Sequence, residues 1–70
     1  MVPALIEALR DAEWMVRHHA AEALGRIGPG ARAAIPALTQ ALEDPEPYIQ
    51  QTARAVLRDI RTGSEAPSGQ

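Results

Sequence analysis

The sequence contains no cysteine, no phenylalanine and no lysine. Without cysteine, disulfides, thiolate zinc sites and thiol nucleophiles are excluded. No stretch approaches the ~18 apolar residues of a transmembrane helix, and no charged start leads into a secretory apolar core. Membrane spanning and export are therefore not expected, and the location reads as cytoplasmic. One Trp and one Tyr are the only aromatics, so a core must be built from small side chains. All seven cations are arginines, set against nine acidic residues; the net charge of −2 gives no general attraction to nucleic acid or anionic lipid. What remains is 70 residues, 46% apolar, with 14 alanines and 6 leucines, a composition that favours helix and is too apolar for a disordered chain. A chain of this length makes one small domain, which buries only about 60% of its unfolded surface and is marginal alone.

The chain repeats itself at an offset of 33 residues, where ten of the 27 pairs from residue 2 to 28 are identical. Val2-Pro3-Ala4-Leu5 falls on Ile35-Pro36-Ala37-Leu38, Asp11 on Asp44, and Ala20, Leu24 and Ile27 on Ala53, Leu57 and Ile60. The matches sit at the apolar positions of a helical wheel, which chance would not arrange.

Each half reads as two helices, with a first stripe at residues 2, 5, 6 and 9 and its counterpart at 35, 38 and 42. The second stripe runs Val16, Ala20, Ala23, Leu24, Ile27, matched by Ile49, Ala53, Val56, Leu57, Ile60. Pro3 suits a first helical turn, and Pro47 opens the last helix. Gly28-Pro29-Gly30 is a stop. Pro36 is ambiguous, because a helix beginning near residue 31 would carry it past the first turn and bend there. The tail from 62 to 70 lacks periodicity and reads as mobile and disordered.

These residues carry a family resemblance. Val2-Pro-Ala-Leu-Ile-Glu-Ala-Leu-Arg-Asp11, then Val16-Arg17 and Ala20-Ala-Glu-Ala-Leu-Gly-Arg-Ile-Gly28, resemble the HEAT repeat. More narrowly, they are similar to the short HEAT-like repeat of phycobilin lyases and bacterial scaffold proteins. The likeness covers 2 to 61; the second half departs from it, with Gln50 in place of Arg17 and Arg58-Asp59 in place of Gly25-Arg26. The resemblance implies an all-α fold: two helix pairs, 2–28 and 35–61 joined by 29–34, in a short right-handed α-solenoid of four helices. It further implies a concave face lined by the second helices, and a structural pairing of Asp11 with Arg17. With Gln50 in the second half, any charge ladder between repeats is expected to break there.

About three repeats are normally needed for stability, because one pair cannot cover its own apolar face. Three explanations meet the shortfall: a fragment of a longer array, an oligomer, or an economical monomer. Leu5-Ile6, Val56 and Ile60 are the expected association surfaces.

The family positions that vary and contact partners correspond here to Trp14, Met15, His18, His19, Glu22, Tyr48, Gln51 and Thr52. Trp and Tyr are enriched at binding hot spots, and both of this chain's fall in that set; the plainer reading has Trp14 covering the end of a weak core and Tyr48 packing beside a proline. No metal site is expected: adjacent His18 and His19 diverge by about 100° on a helix, His18 with Glu22 offers only two ligands, and the His-Glu dipeptide of iron-binding HEAT hydroxylases is absent. Arg54, Arg58 and Arg61 form a basic stripe that reads as a solvated face rather than a nucleic-acid site. Ser64 and Ser68 lie in the tail, and no nucleophile stands beside a histidine with an acidic orienter.

The expectation is therefore a non-catalytic scaffold module without a cofactor. It binds a protein partner or forms a homo-oligomer, and does not engage nucleic acid or membrane. A phycobilin lyase-like subunit is the alternative.

Overall fold

A computed structural model describes residues 1–62. Among the described residues there is no strand. The first helix, α1, spans Val2–Ala8 with Pro3 in its opening turn. The second, α2, spans Trp14–Ile27 and ends on Gly28. A 3₁₀ segment, Gly28–Ala34, leads into α3, Ile35–Ala41, and α4 covers Pro47–Thr62.

In place of four separate helices, the described residues form three helical runs, the middle one kinked. The link between the second and third helices is wound as a 3₁₀ segment, Gly28–Ala34, and so belongs to the middle run, with a kink inside it. Two local features turn the chain there. Gly28 adopts φ 72° and ψ −139°, a backbone region essentially reserved for glycine, and Ala31 departs to φ −100°, ψ 22°. The ambiguity at Pro36 is thereby resolved. The tight segment ends at Ala34, α3 starts afresh, and Pro36 lies in its first turn, where no amide donor is needed.

The core is small-residue packing. Leu24, Leu38, Ile49 and Ile60 are the largest fully buried side chains, with Ala21, Ala31 and Ala34 closing the gaps. The α2–α4 approach is close at Gly25, where a Cβ would lie 3.1 Å from Val56 Cγ2. Val56 and Ile60, expected on an association surface, are instead buried within the chain, while Leu5 and Ile6 are half-buried. Val16, expected in the core stripe, is 38% exposed, whereas its counterpart Ile49 is fully buried. The first half thus lacks a cover that the second half has.

One ion pair ties the halves together. Arg17 Nε donates to Asp44 Oδ2 at 2.8 Å and Nη2 to Oδ1 at 3.1 Å, a bidentate fork between largely buried side chains. Its Nη1 also donates to the carbonyls of Asp11 and Ala12. The expected Asp11–Arg17 pairing is therefore redirected. Arginine holds the Asp11 backbone, while its charge meets the aspartate one repeat ahead. Each aspartate carboxylate also accepts the amide two residues on, Glu13 and Glu46, at 2.9 Å, which shapes the turn before the following helix. Gln50 Nε2 donates to the Asp44 carbonyl at 2.7 Å, repeating the backbone half of the Arg17 role without its charge. The expected break in the ladder at Gln50 thus lies one rung beyond the junction, which is itself charged. The tail beyond residue 62 lies outside the described residues.

Candidate partner-binding face

Helix α2 places Trp14, His18 and Glu22 one turn apart, and α4 does the same for Tyr48, Thr52 and Ala55. Because α2 packs on α4, the two rows face one another across a shallow cleft. At its upper end the aromatic rings meet. Trp14 and Tyr48 are edge-to-face with centroids 5.8 Å apart, and His18 stacks on Tyr48 at 4.6 Å. Trp14 and Tyr48 remain 41% and 49% exposed, so the contact orders two rings that solvent still reaches.

A polar chain runs below the rings. The Thr52 hydroxyl donates to the Tyr48 carbonyl at 3.0 Å, which uses its only proton. Its oxygen therefore accepts from His18 Nδ1, 3.2 Å away. That assignment makes the neutral ring the Nδ1–H tautomer, with bare Nε2 directed at Glu22 Oε2, 3.5 Å away.

Five of the eight residues singled out from the sequence, Trp14, His18, Glu22, Tyr48 and Thr52, form this connected line. Met15, His19 and Gln51 are exposed beside it; of these His19 alone has a ring near the line, 5.8 Å from that of His18. The whole cleft has a volume of about 410 Å³ and continues past the line along Gly25, Arg26, Ala55, Val56 and Asp59. The sequence reading omitted these. Their signal is the continued spacing, His18 and Glu22 to Arg26 on α2 and Thr52 to Ala55 and Asp59 on α4. Among the described residues no three His, Asp or Glu side chains group as metal ligands, and no buried side-chain polar atom lacks a partner. No helix there is long and apolar enough to cross a membrane.

Paired helices, an internal repeat and a cleft between the second helices define an all-helical repeat protein. The chain belongs to the HEAT repeat family, whose model matches residues 2–68. HEAT repeats are in general helical protein-interaction modules and typically non-catalytic. No curated protein and no solved structure matches the chain.

Proposed function

We propose that this chain is a non-catalytic interaction module, a short right-handed solenoid in the cytoplasm. It binds a protein segment through the α2/α4 face: Trp14, Met15, His18, His19, Glu22, Tyr48, Gln51 and Thr52. The observation that carries this reading is the pair of half-exposed aromatic rings, positioned by two mutually packed helices at the mouth of an open cleft. Rings already ordered before binding lose little side-chain entropy on docking. The stretch of cleft below them offers Glu22, Arg26 and Asp59 for polar contacts.

Peptides selected against the chain from a displayed random library test the proposal. Trp14→Ala and Tyr48→Ala should each weaken the selected peptides by about tenfold or more, as aromatic hot spots do. The urea midpoint should move little, because both rings are partly solvated in the free chain. Unchanged binding together with a steep loss of stability would make the rings core residues and remove the site. The lyase-like alternative needs an enclosing chromophore pocket; the cleft is open to solvent, and a visible absorbance change on incubation with a bilin would be required to revive it.

A further inference from the structure

The cleft between α2 and α4 has two ends of different chemistry. The aromatic rings lie at one. At the other the lining is small or apolar, Gly25, Ala55 and Val56, and the charge is carried by Glu22 and Arg26 on α2 and Asp59 on α4. Asp59 is half-buried, yet among the described residues it is in no ion pair with Arg26 or any other arginine.

The α2 wall holds a second unmet acceptor. With His18 as the neutral Nδ1–H tautomer, its bare Nε2 and Glu22 Oε2 both accept, and they face one another at 3.5 Å. Two lone pairs so placed repel, and a donor within reach of both relieves them. Arg26 does not supply it; the side chain is exposed and is in no ion pair among the described residues. Two carboxylates and an imidazole nitrogen therefore line this end of the cleft as acceptors, against one exposed guanidinium.

We propose that this end of the cleft takes a basic side chain, arginine or lysine, of the protein segment that docks on the rings. The inference rests on the docking face proposed above and names the chemistry of what docks there. The cation lies between Glu22 and Asp59, its methylene stem runs along Gly25, Ala55 and Val56, and its N–H groups serve the facing pair of acceptors. An acidic side chain would meet two carboxylates instead. Helix geometry fixes the spacing of the two contacts. Glu22 lies eight residues beyond Trp14 and Asp59 eleven beyond Tyr48, about 12 and 16 Å along the helices at ~1.5 Å per residue. An extended segment advancing ~3.3 Å per residue covers that distance in about four residues, which also returns both side chains to the same face. The bound motif is therefore an apolar or aromatic residue with a basic one about four positions away.

Selection from a displayed library of random peptides, run in parallel on the chain and on Asp59→Asn, tests this. Peptides selected on the unaltered chain should be enriched in arginine or lysine at that spacing, and those selected on Asp59→Asn should lose the enrichment. In fluorescence anisotropy with a synthesised selected peptide, citrulline in place of its arginine should weaken binding by about tenfold, the scale of one charge-assisted bond. Asp59→Asn should cost the arginine peptide about as much and the citrulline peptide almost nothing. Arg26→Ala removes a like charge and should tighten the arginine peptide several-fold. Circular dichroism checks that each variant keeps its helix content; should Asp59→Asn lose it, Asp59→Ala, a better helix former, takes its place. Neutral or acidic peptides that depend on Trp14 and Tyr48 but are indifferent to Asp59→Asn would keep the docking face and overturn the basic occupant. Weaker binding to Arg26→Ala would do the same, by making the cleft an anion site. A library that returns no binder removes the docking face, and this inference with it.

Discussion

Arg17→Ala is the most informative single perturbation of the fold. The side chain makes two bonds to the Asp44 carboxylate and two to the Asp11 and Ala12 carbonyls, and its partner's side chain is only 9% exposed. Removing one member of a fully buried pair costs about 3–5 kcal/mol, mostly through the charge left behind. Here Arg17 itself is 15% exposed and Asp44 keeps its bond to the Glu46 amide, so water and that amide recover part of the loss. About 2–3 kcal/mol is expected, a large share of the stability of a domain this small. Urea unfolding followed by circular dichroism gives the stability. Trp14 emission gives a second probe placed at the α2/α4 contact. Asp44→Ala and the double variant complete the cycle, with a coupling of about 1–3 kcal/mol expected between residues that share two bonds. Arg17→Lys should restore less than half, because a single ammonium cannot fork a carboxylate and reach two carbonyls. A loss below about 0.5 kcal/mol, the level of an ordinary surface change, would refute the view that this pair fastens the halves.

Other substitutions follow from burial and backbone geometry. Leu24→Ala, at a fully buried site, should cost about 2–5 kcal/mol in urea unfolding and leave much of the chain unfolded at room temperature. Gly28→Ala meets no neighbouring atom, yet should cost about 1–3 kcal/mol because its φ of 72° strains any residue with a Cβ; an unchanged midpoint would argue for a different turn. Gly25→Ala presses on Val56 at 3.1 Å and should be destabilising alone but largely relieved by Val56→Ala in a double-variant cycle.

The helices and their stops were legible because they depend on local rules. Pro3, Pro47 and Gly28 act within one turn of themselves, and the apolar spacing is a property of a single helix. What the sequence did not disclose depended on the other half of the molecule. Val16 satisfies the stripe as well as Ile49 does, and only the presence of a covering repeat separates an exposed side chain from a buried one. Val56 and Ile60 read as an outer surface until α4 packs into the core and buries them, with Gly25 leaving room for Val56. Arg17 was paired with the aspartate nearer in sequence, six residues away, although the guanidinium reaches one 27 residues on. The aromatic members of the cleft were visible by their rarity. Arg26 and Asp59 were not, since charged residues on helix surfaces are common and only the juxtaposition of α2 and α4 brings them into one channel.

The joint at Gly28–Ala34 has a mechanical consequence. A slack tether would let the two halves pivot, so that a ligand could pull them together like jaws. This tether is wound, and it is packed into the core by the buried Ala31 at its midpoint and Ala34 at its end. Moving either half then disturbs the packing of the joint as well as the α2–α4 contact that sets the spacing of the aromatic rings.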